Sequence, residues 1–293
     1  MIQKIILILL ILLTACSKHP SSPRLRRTGK NVYKFSNIDN NKKFVIVIPS
    51  YNNEAWYKYN LDSVFAQKYN NFRVIYIDDN STDKTYDFVK KYLKENRKEA
   101  RTILIKNKIN KGALANHYKA ILLSQDDEII VSLDGDDWFA NDKVLEYLNN
   151  IYKDPNIWMT YGQFQNWPTN KIGWCKPVPK EIIETNKFRE FGFCMAQPRT
   201  YYAWLAKKIK NADLCDENNN FYKIAGDVAL MFPMIEMAGE RFKFIPDVLC
   251  IRNVNNILND FKVNKEVQKQ ITREIRAKEK YTRLSHDVKI EVT

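Results

Sequence analysis

Residues 128–138 read Glu-Ile-Ile-Val-Ser-Leu-Asp-Gly-Asp-Asp-Trp. A short, β-branched apolar run is the pattern of a buried strand. Here it runs straight into three carboxylates within four positions, Asp134, Asp136 and Asp137. At neutral pH these groups repel one another unless positive charge sits between them. Hard divalent cations take oxygen ligands, and Mg²⁺ or Mn²⁺ is commonly held by one or two carboxylates plus substrate phosphates. Taken alone, the segment also reads as an acidic turn, because Asp and Gly are favoured turn formers.

Three runs of the same kind precede it: Phe44–Pro49, Phe72–Ile77 and Thr102–Ile105. Helical spacing separates them at 54–68, 83–98 and 111–124, and returns at 142–153. Strand–helix alternation predicts a doubly wound α/β sheet, mostly parallel and flanked by helices. No internal repeat is present. In open parallel sheets, ligands bind outside the carboxyl ends of the strands. Three polar clusters fall at such ends: Ser50-Tyr51-Asn52, Asp78-Asp79-Asn80-Ser81 and Asp134–Asp137. One sheet edge thus collects an aromatic face, hydrogen-bond acceptors and a possible metal site, the parts needed to hold a nucleotide diphosphate.

The chain has 293 residues and a net charge of +13, which points to an anionic partner. Much of the excess lies on the flanks. Residues 24–43 hold Arg24, Arg26, Arg27, Lys30, Lys34, Lys42 and Lys43 against Asp39 alone, and residues 262–283 are again basic. No RNA-binding aromatic motif or zinc-finger spacing appears, so nucleic acid is not expected as a partner. Cys16, Cys175, Cys194, Cys215 and Cys250 show no metal-ligand spacing, and the last four read as core thiols.

Residues 5–13 are Ile and Leu throughout and follow Lys4. This run is too short to span a bilayer comfortably and matches the apolar region of a signal peptide. It ends in Leu13-Thr14-Ala15-Cys16, which looks like a bacterial lipobox with Cys16 as the lipidation site. The alternative is a short uncleaved anchor. Its Arg24, Arg26 and Arg27 would favour a cytosolic catalytic domain. Either way the chain is expected to be membrane-associated through its N-terminus, on a face the sequence leaves open. The expected organisation is signal or anchor (1–16), basic flexible linker (17–43), catalytic domain (44–260, its nucleotide half at 44–140) and C-terminal basic helix and tail (261–293).

Val-Ile-Pro-Ser-Tyr-Asn, Ile-Asp-Asp-Asn-Ser-Thr-Asp, Asn-Lys-Gly with Asn116 downstream, and Leu-Asp-Gly-Asp-Asp occur in that order. Over about residues 44–140 this resembles family 2 glycosyltransferases of the GT-A (Rossmann-like) fold. The resemblance implies a mixed α+β acceptor-side region and a nucleoside diphosphate sugar donor. It implies that Tyr51, with Pro49 and Ser50, lies near the base, and that Asp79 accepts from the base imide. Asn110, Gly112 and Asn116 would lie near the nucleotide, with His117 read as structural. Asp134 would contact the ribose, and Asp136 and Asp137 would hold Mn²⁺ or Mg²⁺, either being the direct ligand. Trp138 is the candidate on the sugar or acceptor side.

The second half matches more loosely. Relatives often carry Glu-Asp where this chain has Gly226-Asp227, so only Asp227 carries over as general base, and it also suits a helix N-cap. Pro233 is expected to kink that helix or start another. Arg252, with Lys262 second, is the candidate that approaches the diphosphate. The aromatic stretch 161–204 reads mainly as core. The helix at 263–283, striped with Val263, Val267, Ile271 and Ile275, could dock on the domain or lie on anionic lipid. The expected reaction is metal-dependent, inverting transfer from a nucleoside diphosphate sugar, with a UDP-sugar as the expected donor, to a hydroxyl of a glycan, lipid-linked or protein acceptor. The alternative is a degenerate domain that binds a sugar or nucleotide without turnover. A nucleotidyltransferase would carry a Gly-rich, Arg-containing loop after the first strand, and residues 49–56 contain neither residue.

Overall fold

The computed structural model describes residues 33–35, 41–257, 265–285 and 290–292. Cys16, the apolar run 5–13, Lys262 and Val263 lie outside them. The first half alternates as its periodicity requires. Strands β2 (Phe44–Ser50), β3 (Phe72–Asp78), β4 (Thr102–Lys106) and β5 (Ile129–Ser132) alternate with α1 (Tyr57–Phe65), α2 (Thr85–Glu95) and α3 (Ala113–Leu122), and α4 (Val144–Ile151) follows. Every residue of β2 and β5 is buried, as expected of strands covered on both faces. The helices begin two or three residues later than their apolar spacing indicates. The N–H groups just before α1 are taken elsewhere: Asn53 donates to Thr85 Oγ1 (2.7 Å) and Glu54 to Asp83 Oδ2 (3.1 Å).

Pro49 sits inside a central strand, a position that normally loses a ladder bond. The β2–β5 ladder ends at Val47 opposite Ser132, so the missing N–H falls where β5 has already stopped. The Pro49 carbonyl still accepts from Gly135 (3.1 Å).

The second half adds β6 (Trp138–Phe139), β7 (Met159–Trp167), β8 (Ala196–Tyr202) and β9 (Phe242–Asn253) to the same sheet. The eight strands run in the order β4-β3-β2-β5-β8-β7-β9-β6. Pairs β2–β3, β3–β4 and β2–β5 are parallel, as is β7–β9; β5–β8, β7–β8 and β6–β9 are antiparallel. Strands β2 to β5 are therefore parallel to one another, and every antiparallel pairing in this sheet involves β8 or β9 of the second half. Tyr161, Phe164, Tyr201, Tyr202 and Trp204 are buried, so most of the aromatic stretch is core; Trp167, Phe191 and Phe193 are half-buried and Trp174 is 52% exposed. Cys175, Cys194, Cys215 and Cys250 are buried free thiols.

Helix α8 (Gly226–Ala238) runs through Pro233 without ending, so no new helix starts there. Every residue from Val228 onward is buried, and packing on all sides holds the turn that Pro233 deprives of a hydrogen bond. Helix α9 (Lys265–Ala277) docks by its last turn: Ile275 is buried, while Val267 is exposed. Arg189 fixes it. Its guanidinium makes a bidentate pair with Glu236 (2.6 and 2.9 Å) and donates to the Ile275 and Lys278 carbonyls (2.7 and 2.9 Å). Both charges are buried, but every strong partner is matched, the condition under which such a pair persists.

Residues Asp39–Ser285 form one compact unit. A second unit contains β1 (Tyr33–Phe35) and β10 (Ile290–Val292), which pair in parallel with Tyr33 opposite Ile290. Strand β1 lies within the stretch expected to be an unstructured linker. Its Tyr and Phe favour strands where the Ser/Pro run upstream does not. Among the described residues, no helix is long and apolar enough to cross a membrane.

Candidate active site

The carboxyl ends of β2 and β3 are locked together before any ligand is considered. Ser50 Oγ accepts from the Tyr76 hydroxyl (2.8 Å) and from Asn53 Nδ2 (3.0 Å). Asn52, in the left-handed region, donates through its N–H to Ser81 Oγ (2.9 Å) and accepts from the Thr82 N–H (2.8 Å). Tyr51, between them, is 39% exposed, so its ring is open to a ligand.

Asp79 is buried at the end of β3 and works as a latch. Its carboxylate accepts from Asn107 Nδ2 (2.7 Å) and from the backbone N–H groups of Lys111 (2.9 Å) and Gly112 (2.7 Å). These bonds explain why α3 starts at Ala113, because both amides before it are drawn back to Asp79. Gly112 takes φ +87°, a conformation that glycine alone adopts without strain. Asn110 Nδ2 reaches the Asp79 carbonyl (3.3 Å), and Asn116 Oδ1 accepts from Asn107 Nδ2 (2.8 Å). Asn110, Gly112 and Asn116 therefore gather around Asp79. Asn107 was not singled out from the sequence.

The loop after β5 is pressed onto β2. A Cβ at Gly135 would lie 2.7 Å from Ser50 Cβ and Oγ and 2.8 Å from Asn53 Nδ2. Asn60 of α1 supports the loop from below, donating to the Asp134 and Asp137 carbonyls (3.0 and 2.8 Å). Asp137 is buried and accepts from the Asn253 N–H (2.8 Å); Asp136 accepts from Asn256 Nδ2 (2.8 Å). These donors are too few. Burial, with the Asp134 charge second, pushes the Asp136 carboxyl up to about 6. Burial and the charges of Asp136 and Asp134 hold Asp137 well above the carboxylate range. Arg252 opposes both shifts. Its guanidinium lies 5.6 Å from the Phe164 ring centroid.

Trp138 follows this group directly and is half-buried. Its ring packs against Tyr59 (5.5 Å) and Trp167 (5.7 Å), and Trp167 also meets Trp56 (5.6 Å), an aromatic cluster beside the carboxylate loop.

Asp227 occupies the first turn of α8, with the cap residue Ala225 left-handed. Asp227 Oδ1 accepts from the Val228 N–H (2.9 Å), and Oδ2 pairs with Arg199 Nη1 (3.1 Å). The Asp227 side chain remains 36% exposed. A Cβ at Gly226 would fall 2.8 Å from Leu114 Cβ, so α8 approaches α3 too closely for the Glu that relatives carry. Strand β8 ties this region to the carboxylate loop. Gln197 donates from Nε2 to Asp134 Oδ2, and Arg199, two residues on, holds Asp227. His117 lies within reach of Asp134 and Arg199, and burial pushes it down to about 4. It is therefore a neutral imidazole of the site wall, as read from the sequence. Gln197, Arg199, Asn60 and Asn256 were missed. Arg199 carries the one usable signal, a charge in an otherwise strand-like Thr-Tyr-Tyr run.

The site gathers three carboxylates at one sheet edge and a further one held by Arg199 of β8, and comparison with known proteins gives its class. The model of the family described as "Glycosyl transferase family 2" matches residues 45–204, more than half of the chain. The chain belongs to glycosyl transferase family 2. As a family 2 glycosyltransferase it is 33% identical over 119 residues to an uncharacterized glycosyltransferase of Haemophilus influenzae, covering 41% of this chain and 46% of the relative. It is 26% identical over 207 residues to the Escherichia coli UDP-Glc:alpha-D-GlcNAc-diphosphoundecaprenol beta-1,3-glucosyltransferase WfaP, covering 63% of this chain and 78% of WfaP. It thus spans about half the length of the first relative and most of the second. Among solved structures it resembles Staphylococcus aureus TarS 1-349 in complex with UDP-GlcNAc, with TM-score 0.58 and 18% identity over 80% of this chain and 65% of that one. It also resembles a Pyrobaculum calidifontis mannosyltransferase in complex with GDP-Man and Mn²⁺, with TM-score 0.57 and 17% identity over 85% of this chain and 68% of that one. At these identities the structural likeness concerns the fold, a glycosyltransferase open sheet flanked by helices.

The carboxylate loop fits a divalent cation of the expected kind. Among the described residues no group of three or more His, Cys, Asp or Glu side chains is placed to hold a metal ion by itself. Asp136 and Asp137 are crowded by like charge. One or two carboxylates completed by phosphate oxygens is the mode Mg²⁺ and Mn²⁺ favour.

Proposed function

We propose that this glycosyltransferase moves a sugar from a nucleoside diphosphate sugar, a UDP-sugar in the first instance, to an acceptor hydroxyl with inversion. The observation that carries the reading is the span of β8: Gln197 holds Asp134 on the donor side while Arg199 holds Asp227 on the other. Tyr51 lies against the base. Asp79, with one acceptor position left beyond its three internal bonds, takes the base imide. Asn110, Gly112 and Asn116 form the wall beside it.

Asp134 takes the ribose. Asp136 and Asp137 would hold Mn²⁺ or Mg²⁺, which when bound neutralises charge on the diphosphate. Arg252 adds positive charge at the same place, stabilising the leaving group. Asp227, exposed and oriented by Arg199, accepts the proton of the attacking hydroxyl as it reaches the anomeric carbon. A single displacement from the face opposite the diphosphate inverts the centre.

The UDP assignment is supported by the ligand of the TarS complex and by the donor in the name of WfaP. WfaP's acceptor, a sugar on diphosphoundecaprenol, supports a lipid-linked acceptor, and that in turn fits membrane association through residues 1–16.

Calorimetric titration of UDP tests the donor side. Binding is expected with Mn²⁺, and is expected to be lost with EDTA and in the Asp136→Asn/Asp137→Asn variant. Asp227→Asn should then lower transfer by about 10²–10⁴-fold while UDP binding is kept; normal turnover in that variant would remove Asp227 from the role of base.

A further inference from the structure

Away from the carboxylates, a pocket of about 490 Å³ opens between the outer face of α3 and the segment around Phe221. Lys111, Lys119 and Lys223 converge on it, and its lining contains no carboxylate. Elsewhere surface lysines commonly have an acid beside them, as in Lys43–Asp127, Lys68–Asp142 and Lys207–Asp126. Among the described residues, these three form no ion pair; Lys223 Nζ reaches only the Asn110 carbonyl at 3.5 Å. Converging, uncompensated ammonium groups attract phosphate.

The rest of the pocket is apolar. Tyr118 and Phe221 pack ring to ring at 5.3 Å. Ile109 and Leu122 are 64% and 57% exposed, and Leu123 beyond the rim is 43% exposed. Large aliphatic groups left in water next to a cationic cluster match a ligand that joins phosphate to hydrocarbon.

The pocket borders the segment that leads into Asp227. Lys223 stands four residues before Asp227, its backbone packs over Gly112, and the α8 start meets Leu114, the residue before the pocket's Ala115. A single sugar ring separates an attacking hydroxyl from a phosphate on the same sugar's anomeric carbon. We propose that this pocket holds the phosphate-bearing end of a lipid-linked acceptor, with Lys111, Lys119 and Lys223 on the phosphates and Ile109, Leu122 and the two rings on the first stretch of hydrocarbon. This rests on Asp227 receiving the acceptor hydroxyl.

The test uses the full chain in detergent with EDTA, which removes metal-mediated diphosphate binding at the carboxylates. The probes are a short-chain prenyl diphosphate, inorganic pyrophosphate, and vesicles with and without anionic phospholipid. The prenyl diphosphate should bind more tightly than pyrophosphate, and Lys119→Glu/Lys223→Glu should weaken it by about tenfold or more. Lys119→Gln/Lys223→Gln should give a smaller loss with an unchanged melting curve, which separates lost charge from lost fold. Equal prenyl diphosphate binding by wild type and the charge-reversed variant overturns the proposal. So does a variant that loses only its binding to anionic vesicles, because the patch would then serve the bilayer surface. UDP titration with Mn²⁺ runs beside it: absence of UDP binding in the wild type counts against the donor reading while leaving the pocket result intact.

Discussion

Asp79 and the pair Asp136–Asp137 lie at the carboxyl edge of one sheet, Asp79 and Asp137 buried and Asp136 half-buried, yet their surroundings are opposite. Three N–H donors meet the Asp79 carboxylate. Asp136 has the Asn256 side chain and its own backbone N–H as donors and Asp137 has the Asn253 N–H, while each faces like charge. A buried carboxylate with enough donors is a structural clasp, stable with no ligand present. Buried carboxylates short of donors are poised for a cation. The three-residue motifs look alike on paper; the supply of N–H groups separates them.

Removing the clasp should have the largest effect. Asp79→Ala leaves the Lys111 and Gly112 amides and Asn107 Nδ2 without their acceptor, and urea unfolding should show a loss of about 3 kcal/mol or more. A loss below about 1 kcal/mol would erase the distinction. Neutralising the other region should do the reverse. Asp136→Asn/Asp137→Asn should be at least as stable as wild type in EDTA, while Mn²⁺-dependent UDP affinity falls by about 100-fold or more. A destabilised variant with intact UDP affinity would invert the comparison.

Gly226→Glu, which supplies the acid that relatives carry, should cost about 1–3 kcal/mol through overpacking against Leu114; an unchanged melting temperature would show that α8 shifts freely. The smallest effect is a titration. The folded chain keeps a proton on Asp136 up to about 6, where the unfolded carboxyl has already released it. The stability carried by that proton is complete at low pH and is lost as pH rises through about 6. His117, pushed down to about 4, works against this, adding stability as pH rises above about 4. The quantity to measure in EDTA is therefore wild type minus Asp136→Asn between pH 4 and 7, which should fall with pH; a flat difference removes the crowding argument.

The nucleotide half was readable because its chemistry sits where strands stop, within a few residues of the apolar runs that announce them. Asp79 and Asp134–Asp137 needed only that rule. Gln197 and Arg199 were not readable because they reach the site through an antiparallel pairing of β5 with β8, a contact made 63 residues from Asp134. Asn256 reaches Asp136 across 120 residues for the same reason. Pro233 starts no new helix because local propensity yields to packing on every side of α8. The Gly226 departure looked like a degraded motif, and only the closeness of Leu114 gives it a steric cause.

The way β8 touches both carboxylate sites bears on how the enzyme could be recombined. A natural place to join two relatives' halves would be the end of the nucleotide motifs, near residue 140. That cut would part Asp134 from Gln197 and β5 from β8, while Arg199 and Asp227 would still come from one parent. A splice placed after α7 (Ala203–Ala206), beside the end of the family match at residue 204, would carry β8 with its own β5 and Asp134 but would part Arg199 from Asp227. Neither cut keeps both contacts of β8 within one parent, so substitutions on the two sides of that strand are not independent.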